Sequence, residues 1–450
     1  MQQAAQIVLS ARREWARVVV VTSALSGVTN LLLHSAERAA QGDLSAFYAA
    51  ETELRTRHSQ IAETLLPDAP RRTRTLRQID ELLALYRNLL QAIAVLGEAT
   101  PRALDVVASL GERMSVRLLA AVLEANAQPA RAIEASECIV SDANFQNAHP
   151  DFDATRERAR AILFPLLEGG LIPVVTGFIA ATPEGILTTL GRGGSDYSAA
   201  ILGAALPVDE VWIMTDVNGV MTTDPRLQPD ARTIPELTYR EIAELAYFGA
   251  KVLHPKTIRP VIESGIGLRI ANTFEPQHPG SWVVTHQTGQ THGRIKAVTV
   301  IRGVRLVTLE GRGMLGVPGV AARTFGTVAA LGVSVTLISQ ASSEQSICFT
   351  VPGEAAMRVA TELQKVFSKE ITNRDIDGVS VSEEVVILTV VGAGMRNTPG
   401  IAGRIFSALG QAQVNVIAIA QGSSEVSVSL LVAAEDAARA VQAVHALVEL

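Results

Sequence analysis

Leu190-Gly-Arg-Gly-Gly-Ser-Asp196 is the stretch on which the fold turns. It follows Leu187-Thr-Thr189, which reads as a strand, and it opens a helix expected over Ser195–Leu206. Consecutive small residues leave backbone N–H groups free to face an anion, and a helix N-terminus adds positive potential. Arg192 can form a two-pronged bond to a carboxylate or a phosphate. Asp196 can cap the helix, but a cap alone does not call for an arginine between three glycines. In an open α/β sheet, ligands gather at the carboxyl ends of strands, where such turns lie.

Upstream, Arg17-Val-Val-Val-Val-Thr22 reads as a short buried strand. It runs into Thr22-Ser-Ala-Leu-Ser-Gly-Val-Thr-Asn30, a second small-residue turn before a helix. The plain reading of that turn is a tight loop with Ser26 or Thr29 as cap. Residues 44–125 are mostly helical, and Leu76, Ile79, Leu82, Leu83 and Leu90 share one apolar face. Glu112, in Leu110-Gly-Glu-Arg-Met-Ser115, stands in otherwise apolar helical sequence. Facing inward it needs a cation or a donor; facing outward it pairs with a nearby Arg.

Downstream, Val174-Val175 and Val211-Trp-Ile213 sit in strands, and Tyr239–Tyr247 is helical. Strands alternating with helices imply a mainly parallel sheet covered on both faces. Thr215-Asp-Val-Asn-Gly219 and Thr222-Thr-Asp-Pro-Arg226 carry turn chemistry. Their hydroxyls and Arg226 also suit a nucleotide's phosphates. Lys251, in Phe248-Gly-Ala-Lys-Val-Leu-His-Pro255, is the first Lys of the chain, and His254 beside it reads as structural. The segment Phe274–Gly293 reads as a domain edge.

Beyond residue 300 the sequence repeats with a period of 81. Gly311-Arg-Gly-Met314 matches Gly392-Ala-Gly-Met395, and Gln340 matches Gln421. Residues 306–351 pair with 387–432 without gaps at 18 identities in 46 positions. Each copy reads strand, glycine turn, helix, strand, polar loop, strand, which suggests a tandem regulatory or self-associating module. Gly311–Gly316 also fits G-x-G-x-x-G, but its twin has Asn397 at the third glycine and no acidic residue follows at the ribose distance. A plain turn is the better reading.

Composition bounds the function. The chain has 450 residues, 48% of them hydrophobic and 19% charged. Thirty-nine basic against 45 acidic residues give a net charge of −6, which argues against nucleic acid as a partner. Two cysteines argue against a disulfide scaffold or a multi-cysteine metal site. No stretch is long and apolar enough to span a bilayer, and no signal peptide is evident, so a cytoplasmic location is expected. No G-x-x-x-x-G-K-[ST] occurs, which excludes a P-loop site.

Taken together and in order, Ser-Ala-Leu-Ser-Gly-Val-Thr-Asn (23–30), Gly-Glu-Arg-Met-Ser (111–115), Thr-Gly-Phe-Ile (176–179), the glycine turn (189–197), Thr-Asp-Val-Asn-Gly-Val (215–220), Thr-Thr-Asp-Pro-Arg (222–226) and the Lys251 segment resemble aspartate kinase, a member of the amino-acid kinase family. The repeat resembles that family's paired ACT domains. Its loops at 338–344 and 419–425 look most like the threonine-sensitive aspartokinase–homoserine dehydrogenase branch.

The resemblance implies an α/β fold. A three-layer αβα sandwich with a mainly parallel sheet would cover 1–295, followed by ACT-like (ferredoxin-like) α+β domains over 296–380 and 381–450. It implies phosphoryl transfer from MgATP to the side-chain carboxylate of L-aspartate, the first step of lysine, threonine and methionine biosynthesis. It assigns aspartate contacts to Ser23, Thr29, Glu112, Phe178, Arg192 and Ser195, with Arg192 and Asp196 catalytic. Thr215, Asp216, Arg226 and Lys251 would face ATP, and no protein metal cluster is implied. Gln340 and Gln421 would contact a threonine or lysine effector, in a homo-oligomer built through the ACT domains, with no membrane partner.

The sequence also departs from the family's pattern. Members begin on a strand ending in Lys-Phe-Gly-Gly-Thr-Ser, whose Lys lies on the phosphates. No such motif and no Lys precedes Lys251 here, and Met221 stands where relatives often carry Tyr. The expectation is a start-site or truncation effect, with a central strand missing and the 450 residues nearly inactive by themselves. The alternative is a catalytically impaired, amino-acid-binding regulatory subunit.

Overall fold

The computed structural model describes residues 1–248, 253–285, 294–312, 317–340, 345–395, 397–422 and 426–450. Lys251, the 313–316 part of the first glycine turn, and the Ser-Ser-Glu triplets at 342–344 and 423–425 lie outside the described residues.

Along the chain the elements are α1 (Gln2–Glu14), β1 (Val20–Thr22), α2 (Val28–Ala40), α3 (Leu44–Leu65), α4 (Ala69–Leu96), α5 (Pro101–Ala125), β2 (Ala130–Ile133), α6 (Phe152–Glu168), β3 (Ile172–Thr176), β4 (Ile179–Ala181), β5 (Leu187–Thr189), α7 (Gly194–Ala205) and β6 (Glu210–Thr215). They continue with β7 (Glu236–Thr238), α8 (Tyr239–Tyr247), α9 (Pro255–Ser264), β8 (Gly267–Asn272), β9 (Ser281–Val284), β10 (Ala297–Glu310), α10 (Val320–Ala330), β11 (Leu337–Gln340), β12 (Ser346–Pro352), α11 (Gly353–Val366), α12 (Ser368–Thr372), β13 (Gly378–Val391), α13 (Ile401–Gln411), β14 (Ala418–Gln421), β15 (Ser427–Ala433) and α14 (Ala437–His445). Two compact units result, Met1–Asn218 with Leu253–Trp282, and Gly219–Val252 with Val283–Leu450.

The first unit is α/β. β1, β3 and β2 lie side by side in that order, all parallel, with Thr22 opposite Thr176 and Ile133 opposite Val175. β6 and β8 form a second parallel pair, Ile213 opposite Ile270. A strand buried on both faces needs near-continuous apolar sequence, and β3 is buried from Ile172 to Thr176; β1, expected to be buried, is only half-buried, and β6 buries Val211 and Ile213 on one face. β1 and β6 flank an apolar groove of about 370 Å³, lined by Val19, Val21, Val211 and Trp212 among others.

Helices α2–α5 form a lobe around Leu32, Leu54, Leu83, Tyr86, Leu90 and Leu110. The face read on α4 is inward at Ile79, Leu82, Leu83 and Leu90, while Leu76 is only partly covered. α4 is bounded by an Asp68 cap and a left-handed Gly97. α5 runs through the core, buried almost without break from Val107 to Leu123. None of the described helices is long and apolar enough to cross a membrane.

The second unit holds a six-stranded antiparallel sheet in the order β11-β12-β10-β13-β15-β14. β10 and β13 each span 14 residues and serve both repeats. The later part of β10 pairs with β12, and the later part of β13 pairs with β15. The start of β10, Ala297–Ile301, pairs with the end of β13, and register shifts follow Ile301 and Arg305. Each copy therefore borrows a strand segment from its twin. α10 and α11 cover one core, around Val307, Phe349 and Leu363; α13 and α14 cover the other, around Leu388, Ile405 and Val441. A side chain at Gly311 would collide with the backbone of Asp375 and Ile376.

Candidate active site

The parallel pairing of β1 and β3 brings two loops out side by side. The Gly177 amide donates to the Thr22 carbonyl at 2.9 Å, so the 23–30 turn starts against the 177–178 turn. α2 then begins behind Gly27 (φ +78°), and α7 begins behind Gly193 (φ +67°). Neither helix receives a side-chain cap. Ser26, Thr29 and Asp196 are therefore not caps, contrary to the plain reading of both turns. The left-handed conformation at each N-cap position lies outside the extended range that lets a capping side chain fold back. What remains is two helix starts with amides available to an anion.

Both starts line one cavity of about 390 Å³, together with Ser23, Thr29, Glu112, Phe178, Ser195 and Asp196. Glu112 enters from α5 and is 3% exposed, which settles its orientation as inward. Its Oε2 has no hydrogen-bond partner among the described residues. Burial pushes its carboxyl up to about 7, against the opposing pull of the Glu112 and Ala24 amides. Burial likewise raises Asp196 to about 6.

Phe178 adopts φ +66°, a conformation rare for a residue with a side chain. Its amide donates to Ser198 Oγ at 2.9 Å, and its carbonyl accepts from Leu190 at 2.9 Å. Strain of this kind persists only where surrounding bonds over-determine it. Arg192 lies between Gly191 and Gly193, both on the cavity wall, and its own side chain is exposed. The start of α9 closes on this turn, since a Cβ at Gly193 would come 2.8 Å from His254 Cβ. His254 Nδ1 accepts the Lys256 amide at 3.3 Å, the structural part expected of it.

Of the residues expected at the nucleotide, Thr215 and Asp216 are not among the described residues that line this wall, and Lys251 lies outside the described residues. Thr215 ends β6 and donates to Asp216 Oδ1 at 3.2 Å, and neither borders the cavity. Arg226 belongs to the second unit, where its guanidinium pairs with Asp224 at 2.6 Å. Gln340 and Gln421 end β11 and β14 and are exposed.

Sequence reading missed Ser198 and Asp105. Asp105 is 1% exposed and accepts from Gln146 and Thr189. Burial raises its pKa, opposed by these donors. Its seven-residue offset from Glu112 on one helix was the available signal.

Residues 1–272 match the amino acid kinase family, and residues 307–367 and 388–447 each match the ACT domain. A chloroplastic bifunctional aspartokinase/homoserine dehydrogenase of Daucus carota is 37% identical over 95% of this chain and 47% of its own length. Aspartokinase 3 of Arabidopsis thaliana, also chloroplastic, is 33% identical over 99% of this chain and 78% of its own. E. coli aspartokinase III in complex with aspartate and ADP superposes with a TM-score of 0.79 at 32% identity, covering 99% of this chain and 95% of that one. The chain spans about half the length of the bifunctional relatives it matches. With both the kinase fold and the tandem ACT repeat matched, the chain belongs to the amino acid kinase family, among its aspartokinases.

Proposed function

We propose that this protein transfers a phosphoryl group from ATP to the side-chain carboxylate of L-aspartate, giving 4-phospho-L-aspartate. Glu112 carries the reading. A buried carboxylate with an unpartnered oxygen calls for a cation, and the wall it shares with two uncapped helix starts calls for an anion. An amino acid with a second carboxylate answers both. Its ammonium would meet Glu112, and its carboxylates would meet Arg192 and the amides near Thr29 and Ser195, with Ser23 and the Phe178 main chain alongside.

Thr215, Asp216, Arg226 and Lys251 would serve the nucleotide. Because both reactants are anions, positioning and charge neutralisation would supply most of the rate. Mg²⁺ carried on phosphates keeps most of its ligands off the protein, and Asp196 would arrange the reacting groups and neutralise charge indirectly through that ion or a Lys. When bound, the ion would offset phosphate charge. The E. coli relative was solved with aspartate and ADP, and also with lysine and aspartate. These complexes support the same substrates and an amino-acid effector here; the effector would be threonine or lysine, and the ACT module would be homo-oligomeric.

Calorimetric titration with L-aspartate tests the site, and hydroxamate trapping with ATP and Mg²⁺ tests transfer. Arg192→Ala and Glu112→Gln should each weaken aspartate binding at least about tenfold while nucleotide binding persists. Wild-type affinity in both variants, or no saturable aspartate binding by the folded protein, would overturn the reading.

A further inference from the structure

α5 carries a second buried carboxylate. Asp105 and Glu112 are seven residues apart, so both leave one face of the helix about 10 Å apart along its axis. Asp105 accepts the Gln146 amide on both oxygens, at 3.1 and 3.0 Å. It also accepts the Thr189 amide at 3.0 Å and the Thr189 hydroxyl at 2.8 Å. All three donors are neutral, and the carboxylate is 1% exposed.

These donors sit on the segments that frame the glycine turn. Thr189 is the last residue of β5, and its carbonyl accepts from Ala148 at 2.9 Å. Gln146, at φ +66°, lies in the loop before α6. Leu190 follows Thr189 and donates to Phe178. Gly191 comes next, packed so that a Cβ would lie 3.0 Å from the Gln146 carbonyl and 3.1 Å from Asn147 Oδ1. Arg192 is the residue after that. Every step from Asp105 to Arg192 is a direct bond, a packed contact or a neighbouring peptide.

We propose that Asp105 is a positioning residue. It ties the Arg192 turn to the same helix that carries Glu112, and so sets the spacing between the anion-binding and ammonium-binding ends of the amino-acid site. The inference rests on the aspartate reading above. Spacing is what separates L-aspartate from glutamate, which carries the same charges on one more methylene. An added methylene by itself is rejected only about 10–200-fold, so a loosened turn gives that selectivity away.

Asp105→Asn puts an NH₂ group against donors, so at least one of the Gln146 and Thr189 groups loses its acceptor. Aspartate Kd should rise about tenfold to a hundredfold, with the aspartate-to-glutamate preference reduced and ATP binding retained. Thr189→Val removes the hydroxyl alone and should give a smaller loss of the same kind. The double variant should be no worse than Asp105→Asn, because members of one network do not add. Hydrogen–deuterium exchange of the unliganded protein reads the anchoring without any ligand, and Asp105→Asn should speed it over residues 144–150 and 188–194.

If wild-type protein binds no aspartate, the aspartate reading fails, and exchange alone still decides whether Asp105 holds the turn. Unchanged exchange in those segments overturns the proposal. So does a lower Tm with the aspartate-to-glutamate preference intact, since that marks a scaffold role only. Should Asp105→Asn not fold, Thr189→Val takes its place: faster exchange with a reduced preference supports the proposal, and no change in either overturns it.

Discussion

Ser198 Oγ accepts the Phe178 amide at 2.9 Å and donates to the Gly194 carbonyl at 2.9 Å. One buried hydroxyl thereby joins the β3–β4 turn to the first turn of α7, and holds Phe178 in its left-handed conformation. Ser198→Ala leaves the Phe178 amide without that acceptor, which costs about 1–3 kcal/mol. Urea unfolding should show the loss, and aspartate titration should show weaker binding as the turn relaxes. Ser198→Thr, which keeps the hydroxyl, should fall between the two. An alanine variant with wild-type stability and affinity would mean that Phe178 needs no such tether.

Two glycines should respond to alanine in opposite ways. A Cβ at Gly177 would lie 2.6 Å from both Cβ and Oγ of Ser195, and 2.8 Å from its Cα. Backbone must shift to make room, at about 1–3 kcal/mol, and the shift falls on the cavity wall. Gly177→Ala should therefore lose aspartate binding along with stability. Gly326, inside α10, has nothing within 4 Å of the same position. Gly326→Ala should raise stability by up to about 1 kcal/mol through helix propensity alone. Thermal unfolding of the pair checks both signs.

Lys296 and Glu241 form a buried ion pair at 3.2 Å within the second unit. Glu241 Oε1 also accepts the Ala393 amide at 2.7 Å, and its Oε2 accepts the Thr238 amide at 2.7 Å. Lys296 further donates to the Glu236 carbonyl at 2.8 Å. Burial lowers the Lys296 pKa, and Glu241 pulls it back up. Lys296→Met takes the ammonium away from the buried Glu241 carboxylate, and breaking a buried ion pair costs about 3–5 kcal/mol. Chemical unfolding of the variant should show a loss of that size, and an unchanged midpoint would show that the other bonds to Glu241 suffice.

Periodicity and turn chemistry made most of the fold legible. Val174-Val175, the glycine turn before α7 and the α8 helix at Tyr239–Tyr247 all stand where their patterns put them. The wall residues Ser23, Thr29, Glu112, Phe178, Ser195 and Asp196 came from motif resemblance, and they meet in one cavity. Propensity favoured Ser26, Thr29 and Asp196 as caps, but a left-handed glycine at each helix start overrides it. Asp105 was hidden for another reason. Its partners are 41 and 84 residues away, and a buried carboxylate satisfied by distant amides leaves no local pattern. The strand segments exchanged between β10 and β13 were equally invisible, because a repeat fixes what each copy contains and not which copy supplies its edge.

Gln340 and Gln421 close β11 and β14, the two outer strands of the six-stranded sheet, at equivalent places in the repeat. Both side chains are exposed and can offer an amide's donors and acceptor to an amino acid. Calorimetry on the whole chain should detect threonine or lysine binding, and Gln340→Ala or Gln421→Ala should weaken it. By linkage, an effector that weakens aspartate binding must itself bind less tightly when aspartate is present. Wild-type effector affinity in both variants would assign the glutamines to their own loops.

Glu112 makes the unliganded site sensitive to pH. Its carboxyl, at about 7 in the fold against an ordinary 4.5, is raised, so the folded protein holds this proton more tightly than the unfolded chain does. Its contribution is fully present below about pH 4.5 and is lost as pH rises through 7, at a cost of up to about 3 kcal/mol once the carboxylate is bare. Glu112→Gln removes the ionisation and should flatten this part of the stability profile, making the unliganded variant more stable than wild type at pH 8. An ammonium bound at Glu112 reverses the preference, because a nearby positive charge favours the carboxylate. Aspartate binding near pH 6 should therefore release a proton, and affinity should fall about tenfold per pH unit below 7. Titration in two buffers of different ionisation enthalpy counts that proton directly. Glu112→Gln should release none from this site, and a wild-type protein with no proton release at pH 6 would place the ammonium elsewhere.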